Sequence, residues 1–240
     1  MTKLTIAFSM LAVVFPCATA WAQDGDKEPW TYVEEKSIRE YHGPVPGVRW
    51  LKGGRLVTAG KDKQVRIWHA NGKMQHALRN GHTGWVLGVA VSADQKQVAS
   101  IGMDGKLCIW GADTGEMIKQ ITVSTNEHNW PLCVQWHPKA NRVAVGMREG
   151  SVYEFDASSG QTTWKQRAAE RLAAAIAYTP DGLRFAAGGY EVTRMFEMAT
   201  NEVVFKMARH DRTDVTALAI DAKWEYAATG PVHRKYQWGN

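Results

Sequence analysis

Cysteine is scarce in this sequence, three residues in 240, and beyond the first 22 residues only Cys108 and Cys133 remain. Each lies inside an apolar, strand-like run rather than in a loop framework, so a disulfide-stapled mini-protein is excluded; the two read as small hydrophobes, and a bridge between them, which export would permit, is the competing reading. No apolar run reaches the ~20 residues needed to span a bilayer. Blocks of like charge are also missing: 29 Lys and Arg face 24 Asp and Glu, a formal net charge of +5. The charges are scattered as on a solvated surface, not gathered as on a polyanion-binding one. Phosphate-binding loops and nucleic-acid motifs are absent, which removes a nucleic-acid partner from the reading.

At the N-terminus, Lys3, the apolar run Leu4 to Phe15 and Ala20-Trp21-Ala22 read as a cleaved secretory signal over residues 1–22. Cleavage after Ala20 fits the small-residue rule as well as cleavage after Ala22. Bulky Phe15 and Pro16 before Cys17 argue against a lipoprotein. The expectation is therefore an exported chain, periplasmic or extracellular, with no membrane span after cleavage. Residues 23–33 form a polar, flexible leader, and residues 34–240 are long enough for one domain with a sizeable core.

The stretch from Gly81 to Trp110 organises the remainder. Two apolar runs, Trp85 to Val91 and Val98 to Ile101, flank the turn Ser92 to Gln97, and a second turn, Gly102 to Gly105, leads into Leu107 to Trp110. These are three short strands, nearly continuous in apolar residues, as expected where other sheets cover both faces. With Gly81-His82 near its start and Trp110 at its close, the segment resembles a WD40 repeat. The resemblance implies a structural tetrad of His82, Ser100, Asp104 and Trp110, in which Asp accepts from His, His bonds Ser, and Ser accepts from the indole N–H.

Closing aromatics recur at Trp68, Trp110, Phe155, Phe196 and Trp238, separated by 42, 45, 41 and 42 residues. A period of about 40–45 residues is the signature of a propeller blade. Second strands agree: Leu56-Val-Thr-Ala-Gly, Val98-Ala-Ser-Ile-Gly, Val143-Ala-Val-Gly, Phe185-Ala-Ala-Gly-Gly and Tyr226-Ala-Ala-Thr-Gly stand in equivalent places. The fold expected is an all-β, WD40-like β-propeller of five visible blades. In the first unit Thr58, Asp62 and Trp68, with His42, match the tetrad. The third has Glu149 for Asp, Val145 for Ser and Phe155 for Trp; the fourth and fifth lack Ser and Asp, and no literal Trp-Asp pair occurs. Glu34 to Tyr41 reads as an outer strand that completes the blade ending at Trp238 and closes the ring, which would leave a monomer. An open arc covered by another copy or partner is the competing architecture.

His82, Ser100 and Asp104 have the residue types of a hydrolase triad, but no Gly-x-Ser-x-Gly elbow surrounds Ser100 and its strand position buries the hydroxyl. His128, Cys133 and His137 have the types of metal ligands. The strand 131–136 sets the two histidines ~30 Å apart, on opposite faces, so no metal is expected. His137 fills the turn before Pro138, and His128 the position of His82. Asp156 to Trp164, Asp-x-x-Ser-Gly-x-x-x-Trp, resembles a motif of quinoprotein propellers; an ordinary turn is the competing reading, and no carboxylate set for a calcium ion accompanies it. A glycan-hydrolysing propeller would need paired acids, and Asp211 and Asp214 stand only in a charged cluster. No cofactor is expected.

The family resemblance directs attention to the top face, made by the segment before each first strand and the turn between second and third strands. It carries Lys61, Trp85, Trp130, Arg148, Arg171, Tyr190, Asp214 and His233. Large aromatics beside Arg are the residue types that dominate protein interfaces. Either both tryptophans bind a protein partner or they tuck into contacts between blades. The expected function is a non-enzymatic module that binds a protein partner; the alternative is a quinoprotein-like or glycan-binding propeller with enzymatic activity.

Overall fold

The structure, a computed structural model, describes residues 43–190, 192–207, 215–220 and 227–231. Eighteen strands and one short 3-10 turn make up its regular elements. The first antiparallel sheet runs β1 (Gly47–Leu51), β2 (Arg55–Ala59), β3 (Val65–Trp68) and β4 (Met74–Leu78), in chain order. The second holds β5 (Val86–Val91), β6 (Gln97–Gly102), β7 (Lys106–Gly111) and β8 (Met117–Thr122). The third holds β9 (Pro131–Trp136), β10 (Arg142–Met147), β11 (Ser151–Asp156) and β12 (Thr162–Arg167). The fourth is β13 (Ala175–Tyr178), β14 (Arg184–Gly188), β15 (Thr193–Glu197) and β16 (Val203–Met207). Finally β17 (Val215–Ile220) pairs with β18 (Ala227–Pro231) as a two-stranded sheet.

Third strands show why the sequence patterns fail to alternate. Val65, Arg66, Ile67 and Trp68 of β3 are all buried, as are Leu107 to Trp110 of β7. Sheets pack face to face on their neighbours, so the middle strands of these two sheets are taken out of water on both faces. Apolar clusters fill the gaps. Val57, Ile67 and Leu78 of the first sheet meet Val89, Val98 and Trp110 of the second. Ile101, Leu107 and Ile109 meet Val134, Val143 and Phe155. Ala144 and Val152 meet Ile176, Phe185 and Phe196. The first strands lie side by side, β1 by β5, β5 by β9, β9 by β13 and β13 by β17.

Every four-stranded sheet has a register shift between its third and fourth strands at the closing aromatic: Ile67/Trp68, Ile109/Trp110, Glu154/Phe155 and Met195/Phe196. The following turn then repeats a positive φ, at Gly72 (79°), Gly115 (72°), Gly160 (78°) and Asn201 (61°). Glycine carries no Cβ penalty there, and Asn is among the few side chains that tolerate it.

Four blade-like sheets and a fifth, two-stranded one thus stand where five blades are expected. The described residues do not close the ring. Residues 34–41 and Trp238, on which closure depends, lie outside them, as do the segments 1–22 and 23–33. Among the described residues no helix is long and apolar enough to cross a membrane.

Candidate functional site

One hydrogen bond recurs at the same place in all four complete sheets and defines a common face. The turn between second and third strands donates an N–H to the carbonyl of the segment entering the first strand. The pairs are Lys61 to Pro44 (3.0 Å), Met103 to Trp85 (2.8 Å), Arg148 to Trp130 (3.0 Å) and Tyr190 to Arg171 (3.1 Å). Further backbone bonds stitch these turns to the next sheet, Val86 N–H to Gly60 O (3.3 Å), Ala173 N–H to Met147 O (2.9 Å) and Val215 N–H to Gly189 O (3.1 Å). Side chains at these positions are therefore presented by a rigid backbone, in a fixed order along the arc.

Six of the residues expected at the top face are brought together as three cation–aromatic pairs. The Lys61 ammonium lies 4.4 Å from the Trp85 ring centroid and bridges the first and second sheets. The Arg148 guanidinium lies 4.6 Å from Trp130, and that of Arg171 lies 5.3 Å from Tyr190. Arg148 is steadied by donating from Nη1 to the His128 carbonyl at 2.7 Å. Trp85 remains 45% exposed, whereas Trp130 is half-buried. Asp214 and His233 lie outside the described residues. The sequence reading passed over Met103, which the repeated hydrogen bond places in register with Lys61 and Arg148; the alignment of the second-strand glycines held that signal.

Beneath this face lies a buried polar chain. The Trp110 indole donates to Ser100 Oγ at 2.8 Å, Ser100 Oγ meets His82 Nε2 at 2.8 Å, and His82 Nδ1 meets Asp104 Oδ1 at 3.1 Å. Because Ser100 accepts from the indole, its own hydrogen goes to Nε2 and the Nδ1–H goes to Asp104, a tautomer assigned from the network. Thr83 N–H donates to the other Asp104 oxygen at 2.7 Å. Burial by itself would raise the Asp104 pKa, but the bonds from His82 and Thr83 and the pull of the imidazole outweigh it and hold the carboxyl below its usual range. Gly81 is required next to His82, since a Cβ there would run into the Trp110 ring. Ser100 is fully buried and its hydroxyl is spoken for on both sides, so it cannot present itself to a substrate.

In the first sheet Trp68 donates to Thr58 Oγ1 at 2.8 Å, while Asp62 pairs with the buried Arg66 at 2.7 Å. His42 lies outside the described residues. In the third sheet Val145 and Phe155 replace the serine and indole, and a different polar link appears: Glu154, 1% exposed on β11. It accepts from Tyr178 of the next sheet at 2.7 Å and from Thr163 at 2.7 Å, with Arg142 at 3.4 Å. Burial, with Glu154 adjoining, drives the Tyr178 hydroxyl well above the ordinary tyrosine range. The signal was an acid inside the apolar third strand, where a carboxylate must find buried donors.

The remaining constellations dissolve into structure. His137 Nδ1 accepts from the N–H groups of Lys139 and Ala140 at 3.1 and 2.9 Å, and its Nε2 reaches Gly182 O in the next sheet at 3.2 Å. His128 does not take the place of His82: it is exposed, beside Glu127 at 3.6 Å. The Asp156 carboxylate accepts from Ser158 N–H, Ser159 N–H and Ser159 Oγ, which makes the segment after Phe155 one copy of the turn all four sheets share. Trp164 packs edge-on to Phe185 at 4.8 Å, between the third and fourth sheets. Cys108 and Cys133 are both free, and burial pushes each thiol up to about 12.

Comparison with known proteins places the repeat. Residues 35–69 and 72–111 each match the sequence model of the family described as WD domain, G-beta repeat. The chain is similar to an intraflagellar transport protein 80 homolog of Mus musculus, 27% identical over 67% of this chain and 20% of that protein. It is similar to the ribosome biogenesis protein YTM1 of Meyerozyma guilliermondii, 32% identical over 35% of this chain and 20% of that one. The pre-mRNA-processing factor 17 of Homo sapiens is 26% identical over 54% of this chain and 23% of its own length. The chain thus spans about a fifth of the length of the relatives it matches. These relatives are named for processes inside the cell, and this overturns the expectation of an exported chain. An apolar run as short as Leu4 to Phe15 occurs in buried core segments as readily as in signal peptides, so its length does not discriminate.

Proposed function

Two units of this chain, residues 35–69 and 72–111, are WD40 repeats, and from that premise we propose a non-enzymatic interaction module that binds a protein partner through the top face. The observation that carries the proposal is the set of three cation–aromatic pairs, Lys61–Trp85, Arg148–Trp130 and Arg171–Tyr190, on turns fixed by one repeated hydrogen bond. Rigid aromatics and arginines anchor protein interfaces because they bury much area at small entropic cost. The names of the relatives, drawn from transport, ribosome biogenesis and pre-mRNA processing, are in keeping with a part that works by assembling with others.

The test is capture from a whole-cell extract by the full chain and by a Trp85→Ala/Trp130→Ala double variant of equal thermal midpoint. Proteins retained by the native chain should be lost from the variant. Equal recovery of every retained protein would remove the top face from the proposal.

A further inference from the structure

We infer that the top face takes an extended segment bearing isolated carboxylates, an acidic peptide stretch of the partner; this rests on the top-face reading and deepens it. Among the described residues Lys61, Arg148 and Arg171 have no carboxylate partner, although five other arginines, Arg55, Arg66, Arg142, Arg167 and Arg184, each pair with one. Each instead lies over an aromatic ring. A ring face attracts a cation without neutralising it, so the outward side of each charge stays available to an anion while the ring limits its wandering. The partly hydrated pair also has less to lose than a bare lysine when a carboxylate arrives.

Spacing sets the shape of the ligand. The pairs occupy successive places along the arc, at the junction of the first two sheets, on the third and on the fourth, and Met103 contributes an apolar step between them. A compact anion can meet one pair only; an extended chain with separated acids can meet all three. The same face holds the exposed Glu127 and Glu170 and the half-buried Glu149, which pairs with Arg167 at 4.0 Å. Those carboxylates would repel the closely spaced phosphates of a nucleic acid, one charge per ~1.7 Å of duplex. Sparse side-chain carboxylates can be placed opposite the cations and away from the glutamates.

The experiment uses the full chain and fluorescence anisotropy of three labelled probes: a peptide alternating Glu with Ser, its counterpart with Gln for every Glu, and a single-stranded oligonucleotide of equal formal charge. The Glu peptide should bind at least ~10-fold tighter than the Gln peptide at low ionic strength and weaken on going from about 0.05 to about 0.15 M salt. Lys61→Gln, Arg148→Gln and Arg171→Gln should each weaken it by roughly 3- to 10-fold, while Lys61→Arg should stay within ~3-fold. Arg148→Lys and Arg171→Lys, which keep the charge but lose the planar stack, should each lose less than the matching Gln variant, which separates lost charge from lost fold. Equal binding of the Glu and Gln peptides, tighter binding of the oligonucleotide, or indifference to the three neutralising variants overturns the inference. Should the Glu peptide fail while extract proteins still depend on Trp85 and Trp130, the acidic ligand is wrong and the top-face site stands. If both dependencies are missing, the two fall together.

Discussion

At Ser100 three side chains converge in a place water does not reach, and the hydroxyl is at once acceptor for the Trp110 indole and partner of His82. Removing the indole donor leaves Ser100 short of a partner and opens space beside Gly81. Trp110→Phe should therefore lower the denaturant midpoint at unchanged slope by the equivalent of about 1–3 kcal/mol, more than Phe155→Leu, which deletes no hydrogen bond. Urea unfolding of both variants checks it, and equal losses would detach the second sheet from its polar chain. Asp104 makes a second prediction. Its pKa is lower in the folded chain than the ordinary aspartate value of 3.8, so the folded state holds the proton less well than the unfolded chain. The stability it contributes is complete above its unfolded pKa and is lost as pH falls through the depressed folded value. Urea midpoints taken from pH 7 down to about pH 3 should fall less steeply for Asp104→Asn than for the native chain over the range below about pH 4.

Strands here are shorter than the period that organises them, and the turn after the closing aromatic carries information the strands lack. In each sheet that turn follows a register shift and needs a residue at positive φ, supplied by Gly72, Gly115, Gly160 and Asn201. At Gly160 a Cβ would come within 3.0 Å of the Lys119 side-chain end and 3.2 Å of Ile121, contacts that a shift of a few tenths of an ångström relieves, so its substitution probes mainly the backbone conformation. Gly160→Ala should destabilise by about 1–2 kcal/mol and Asn201→Gly should stabilise by up to ~1 kcal/mol. Thermal midpoints moving in opposite directions would bear this out; a neutral Gly160→Ala would mean that the Asp156 to Trp164 segment is not held by its turn.

Across the molecule, stability resides in the gaps between sheets, because each sheet alone leaves an apolar face bare. The third and fourth sheets share Trp164, Phe185 and Phe196 and the buried Glu154–Tyr178 bond. Tyr178→Phe keeps the ring and takes one donor from a carboxylate that is 1% exposed. The expected loss is about 1.5–3 kcal/mol. If this bond couples the two sheets, the unfolding transition should also broaden, as neighbouring units begin to melt separately. A lower midpoint with an unchanged slope would confine the effect to the local bond.

Sequence alone determined the period of about forty residues and the placement of the middle strands of the four complete sheets, because burial on both faces and a fixed period are written into local composition. The members of the His82–Ser100–Asp104–Trp110 chain came from the resemblance to a WD40 repeat. Trp85 and Trp130 could be named from sequence, yet whether each met a cation or a neighbouring blade depended on how turns from different strands converge. Only tertiary structure decided that Lys61 of one sheet stands over Trp85 of the next, and that Glu154 finds Tyr178 across a gap. Such contacts join residues 24 positions apart in chain, and no periodicity encodes them. They are set by the angle at which sheets pack, which follows from the volumes of side chains in the three apolar clusters rather than from any single stretch.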